Sequence, residues 1–167
     1  MNPYNELRSR ALAVVGCFVA TIAFGLVLLL AFDTDIQQID AAELVERAGD
    51  ARAFLIADLF FPVFYALLSP VAQWRFGAAL RANGGSSRPP GWIIAAAALL
   101  AAAGLFDWTE NVLLLIATGS GSQGTVDAAH AVAIPKMIFF VAGALLALGV
   151  LARAVMVLRR PEPGSGL

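Results

Sequence analysis

The chain has 167 residues, of which 60% are hydrophobic and only 14% charged. A soluble domain carries about a quarter charged residues, so this is the composition of a membrane protein, with length for four spans of about 20 residues. The net charge of -1 is uninformative about nucleic acid, but with no basic patch interleaved with aromatics no nucleic-acid partner is expected. Cys17 is the only cysteine and His130 the only histidine. An intramolecular disulfide, a Cys-x-x-Cys pair, a cysteine zinc site and bis-histidine haem ligation within one chain are thereby excluded. No cofactor and no metal is expected.

Residues 1–10 are polar, with Arg8 and Arg10 just before the first apolar run. Residues 11–32 carry no charge and form the first expected span. A cationic start before an apolar run also marks signal peptides, but their apolar cores run about 7–15 residues. No small-x-small cleavage site follows Leu28-Leu29-Leu30, so a retained helix is expected. Cys17, Thr21 and Gly25 recur every fourth residue, a small-residue seam suited to close helix packing.

Residues 33–52 form the longest loop and hold Asp33, Asp35, Asp40, Glu43, Glu46 and Asp50. Thr34 or Asp35 is a fitting cap for a short helix from about Ile36, whose Ile36, Ile39 and Leu44 or Val45 would rest on the bilayer surface. The acids lack the Asp-x-Asp-x-Asp-Gly spacing of a calcium loop, so a solvated acidic surface is expected.

Residues 53–76 are the second span. Asp58, Pro62, Tyr65, Ser69 and Ala72 or Gln73 fall on one helical face, and Pro62 and Pro70 predict a kink because each removes a backbone donor. Trp74 and Arg75 suit the far membrane boundary. Residues 81–90, rich in glycine, serine and proline, predict a turn. The third span, 91–118, is alanine-rich in its first half and carries Asp107, Glu110 and Asn111 in its second. A charge-free connector at 119–125 leads to the fourth span, 127–158, with His130 near its start and Pro135-Lys136 deeper. Gly143 and Ala147 form a small-x-x-x-small step, and a disordered tail is expected at 161–167.

The expected fold is an all-α, four-transmembrane-helix bundle forming a single domain over 1–160, with a short acidic extracytoplasmic helix between helices one and two. Basic residues flank the first helix, the second loop and the end of the last helix. The positive-inside rule therefore puts both termini in the cytoplasm, for a multi-pass protein of the inner membrane.

That orientation sets depths. At 1.5 Å per residue, Asp58 lies roughly 6–8 Å below the outer boundary, Glu110 and Asn111 roughly 10–12 Å, Lys136 roughly 12 Å, and His130 at the rim. Asp107 is deeper, near the midplane. Asp107, Glu110 and Asn111, at i, i+3 and i+4, share one helix face. Three helices thus bring ionisable groups to the outer half of the bilayer, where charge is expensive. Three carboxyls and one ammonium do not all stay charged in a dry core, so one Lys–carboxylate pair with at least one protonated acid is expected. Pro135 also leaves the Ala131 carbonyl without its helical donor, beside His130. Trp108 and Thr109 lie off that face, toward lipid or a neighbour. Phe60, Phe61, Phe64, Phe139 and Phe140 read as filling.

Register alone needs one acid and Lys136. The surplus marks Asp58, Tyr65, Asp107, Glu110, Asn111, His130 and Lys136 as candidates for ligand binding or proton handling. The leading expectation is a site for a lipid or small amphipathic ligand. A proton- or cation-coupled transporter, acting as a homo-oligomer, and a membrane scaffold are the alternatives. Asp-x-x-Glu-Asn in the third helix, with Asp58 in the second and Lys136 in the fourth, resembles a pattern in bacterial four-helix integral membrane proteins of unassigned activity. That resemblance implies the fold and a cytoplasmic-membrane location, and no activity. The plan is also similar to that of sterol-isomerase-like four-helix proteins, acids and an amide within a bundle, without a shared motif.

Overall fold

A computed structural model describes residues 3–32, 39–84 and 90–159. Among them every regular element is helical: α1 (Pro3–Ala31), α2 (Ala41–Glu46), α3 (Ala48–Asp58), a π-helical stretch (Val63–Leu68), α4 (Ser69–Gly84), α5 (Gly91–Ser120) and α6 (Gln123–Leu158). Four helical runs are long and apolar enough to cross a membrane, with α3, the π-helical stretch and α4 making up one of them.

The helices run past the apolar stretches that define the spans in sequence. The first begins at Pro3 and the second extends from Ala48 to Gly84, where 11–32 and 53–76 were expected. A hydropathy criterion stops at the first polar turn, whereas backbone hydrogen bonding does not. The connector expected at 119–125 shrinks to Gly121 and Ser122. Gly121 adopts a left-handed conformation (φ 62°) and its N–H returns to the Ala117 carbonyl at 2.9 Å, which stops α5. Ser122 then caps α6 by accepting from the Thr125 N–H at 3.3 Å, ahead of the start expected at 127. Between the first two spans, Asp40 caps α2 by accepting from the Glu43 N–H at 2.9 Å. The start expected near Ile36, with its Thr34 or Asp35 cap, lies outside the described residues, as does 161–167.

Three buried clusters stack along the bundle. Near the chain ends, Leu7, Ala11 and Val14 of α1 meet Phe76 of α4, Ile93 of α5 and Val150 of α6. At the connector pole, Leu44 of α2 and Phe54 and Leu55 of α3 meet Leu114 of α5 and Val126 of α6. Tyr65, Ala66, Leu100, Ala103 and Ala147 fill the middle. The opposite surface of α1 exposes Leu12, Val19, Ile22, Leu26 and Leu30, the pattern of a helix bathed in hydrocarbon.

Small residues set the close crossings. A Cβ on Gly104 of α5 would overlap the Ala66 Cβ, and one on Gly143 of α6 would lie 3.0 Å from the Leu100 backbone nitrogen. The alanine-rich half of α5 thus lets the π-helical stretch and α6 approach from two sides. A Cβ on Gly25, last in the small-residue seam of α1, would lie 3.4 Å from the Phe61 ring. Thr21 spends its hydroxyl on the Cys17 carbonyl at 2.8 Å. Gly104→Ala should cost about 1–3 kcal/mol through overpacking, while Gly16→Ala, with nothing within 4 Å, should be neutral or slightly stabilising. Thermal unfolding of the two variants in detergent micelles measures the difference.

Candidate functional site

The second span is irregular where it carries its polar residues. Pro62 has no N–H to donate, and the Val63 N–H turns to the Phe60 carbonyl at 3.1 Å, which frees the carbonyl of Leu59. Trp108 of α5 takes up that carbonyl through its indole N–H at 2.8 Å. Just beyond, the π-helical stretch holds one residue more per turn, and the Ser69 N–H reaches back to Phe64. This wider turn carries Tyr65, which is 3% exposed, toward α5.

Tyr65 Oη donates to Asp107 Oδ2 at 2.7 Å, and Lys136 Nζ donates to Asp107 Oδ1 at 3.3 Å. Lys136 forms a second ion pair, with Glu110 one turn further along α5. Asn111 Nδ2 donates to Asp58 Oδ2 at 2.9 Å. Asp58, Asp107, Glu110 and Asn111 are all buried, and Asn111 Oδ1 receives no hydrogen bond among the described residues. The structure therefore joins Tyr65 of the π-helical stretch, Asp107 and Glu110 of α5 and Lys136 of α6 in one chain of contacts, and separately pairs Asp58 of α3 with Asn111 of α5. His130 is half-buried, six residues before Lys136 on α6, and is not among the residues lining the adjoining cavity.

That cavity is about 360 Å³. Asp58, Tyr65, Asp107 and Lys136 supply its polar wall. Apolar residues supply the rest, chiefly Leu28 and Leu29 of α1, Phe54, Phe61, and Met137 and Phe140 of α6. Leu29 and Met137 are more than half exposed, so the cavity opens sideways between α1 and α6. Away from it the polar face continues: buried Gln73 donates to Ser69 Oγ at 2.9 Å, and its Oε1 receives no hydrogen bond among the described residues. Beyond Gln73, α4 buries Phe76 and Ala79.

At the connector pole Arg52 is structural. Its Nε donates to Thr118 Oγ1 at 3.0 Å and its Nη2 approaches the Thr118 carbonyl at 3.5 Å, where α5 leaves carbonyls unsatisfied. Gln123 accepts from the Ala41 N–H at 3.1 Å and so ties the first loop to α6. Among the described residues no group of three or more His, Cys, Asp or Glu is arranged to hold a metal ion.

Two aromatic residues expected as filling belong to the cavity. Phe61 stands three residues after Asp58 and four before Tyr65, and Phe140 four after Lys136, so helical spacing already placed both on the polar faces. Phe60, by contrast, is 58% exposed. Trp108 faces a neighbour, and the carbonyl it occupies was legible in sequence only as the backbone disturbance at Pro62.

No family model, curated protein or solved structure matches the chain. What the arrangement does chemically follows from its own atoms. Lys136 is the one ammonium between Asp107 and Glu110, so Lys136→Met strands two acids in a buried setting and should lower stability by about 3–5 kcal/mol. Adding Asp107→Asn and Glu110→Gln should restore most of it, because no uncompensated charge then remains. Reversible unfolding in mixed micelles, compared across the single and triple variants, checks this.

Proposed function

We propose that this protein binds a lipid or small amphipathic ligand at the polar cavity between α1 and α6. The observation that carries this reading is the shape and chemistry of the opening. A charged, hydrogen-bonding wall lies at the bottom of an otherwise apolar cavity whose mouth is formed by exposed Leu29 and Met137. An amphiphile matches both ends, with its head on the polar wall and its tail passing out between the helices. At about 360 Å³ the cavity lies at the small end of ligand sites, roughly 300–1,000 Å³, so it holds the head and the first part of a tail.

The positive-inside pattern supports the finer topology: a multi-pass protein of the cytoplasmic membrane, both termini inside, with the cavity in the outer half of the bilayer and its mouth toward the outer leaflet. A continuous proton relay is less well supported, since the polar face of the second span gives way to Phe76 and Ala79.

Protein purified in a neutral detergent should carry a stoichiometric amphiphile detectable by native mass spectrometry. Met137→Trp, which fills the mouth and leaves every charge in place, should lose it, as should Asp107→Asn. Well-folded wild-type protein that never carries or takes up an amphiphile would refute the reading. For topology, Glu46→Cys in a Cys17→Ala background should react with a membrane-impermeant maleimide on intact cells, and Arg81→Cys should react only after lysis.

A further inference from the structure

The cavity has a charge preference that the binding reading alone does not specify. Among the groups lining it are two carboxyls, Asp58 and Asp107, and one ammonium, Lys136. The ammonium is already engaged on two sides. Lys136 Nζ donates to Asp107 Oδ1 at 3.3 Å and pairs with Glu110 on the next turn of α5. An anionic head would have to displace one of those acids to reach Lys136 and would meet Asp58 and Asp107 as well. Such a head is disfavoured on both counts.

The walls point the same way. Phe61, Tyr65 and Phe140 all line the cavity, and Tyr65 packs on each of the other two. The Phe61 and Tyr65 ring centroids lie 5.1 Å apart with planes inclined by 56°, and those of Tyr65 and Phe140 lie 5.2 Å apart at 85°. Aromatic rings on the wall of a small space, beside carboxyl groups, are surroundings that attract quaternary and protonated ammonium groups, because a ring acts electrostatically on a cation that has shed its water. A neutral alcohol head gains only hydrogen bonds here. The Tyr65 hydroxyl is itself held by Asp107 at 2.7 Å, so its donor faces away from any incoming group.

We propose that the cavity selects a cationic amphiphile, an ammonium head enclosed by Phe61, Tyr65 and Phe140 with Asp58 and Asp107 as counter-charge and an apolar tail leaving between Leu29 and Met137. This rests on the reading of the cavity as an amphiphile site and names the class of head it takes. Phe61 and Phe140 act on the ligand directly. Asn111 is a positioning residue: its amide fixes one oxygen of Asp58 at 2.9 Å.

The test uses three probes with one apolar body: dodecyltrimethylammonium, dodecanol and dodecyl sulfate. Each is titrated into the full chain in neutral maltoside micelles, with protein-free micelles as the blank. The expected order is ammonium, then alcohol, then sulfate, with the ammonium bound about tenfold or more tightly than the alcohol, the scale of a desolvated cation–ring contact. Phe140→Leu should cut ammonium affinity several-fold and leave the alcohol within a factor of two, which loss of packing alone would not do. Asp58→Asn, which keeps the shape and a hydrogen-bonding oxygen for Asn111, should do the same, and its melting curve reports whether the fold is retained. Equal binding of ammonium and alcohol, or tightest binding of sulfate, overturns the cationic preference and leaves the amphiphile site standing. Absence of binding by all three to folded wild-type protein overturns both.

Discussion

The bundle depends on one cation. Lys136, next to Pro135 within α6, is shared by Asp107 and Glu110, which α5 presents one turn apart on a single face. In hydrocarbon an unpaired charge is costly, whereas a paired one mainly fixes position. Sharing the ammonium therefore fixes the sliding register of α5 against α6, the most extensive helix pair in the molecule. With that register set, Gly143 meets Leu100 lower down, and Val126 and Ala129 meet Leu114 and Ala117 above. The apolar contacts are many and tolerant; the ionic one admits a single alignment.

The second span joins this pair through its irregularity. Its proline at position 62 frees a backbone carbonyl and the π-helical turn that follows widens the helix, and α5 meets both. Trp108 covers the Leu59 carbonyl on one side, and Asp107 receives the Tyr65 hydroxyl on the other. Gly104 lets Ala66 come close enough for both contacts to form. Neighbouring residues of α5 thus anchor the span at two points in its disturbed region. The cavity lies beside that anchor, bounded on its remaining side by α1, the helix with least enclosure.

The sequence carried the helix count plainly, because apolar run length is set by membrane thickness. It also carried the shared face of Asp107, Glu110 and Asn111, and Lys136 as a group at matching depth. Depth arithmetic gives a level along the membrane normal but no direction around a helix axis. It grouped His130 with the cluster without giving its direction: that residue is half-buried, within electrostatic range of Glu110, and not among the residues lining the cavity. The same blindness hid the part played by α1: Gly25 read as part of a packing seam and Leu28 only as part of an apolar run, and the assembled bundle places both on the wall that also carries Asp58. Pro62 and Pro70 announced a disturbance of the second span, but not that it takes the form of a π-helical turn at Val63–Leu68.

The two-residue link between α5 and α6 bears on how such a chain enters a bilayer. Gly121 and Ser122 close a tight helical hairpin whose arms lie against each other. All the acids of one arm and the lysine of the other belong to this single unit. A polypeptide leaving an insertion machine as a hairpin brings each negative group with its positive counterpart already opposite, and neither arm crosses oil as a bare ion. The shortness of that link thus makes biogenesis of a charged interior affordable, quite apart from anything the interior later binds.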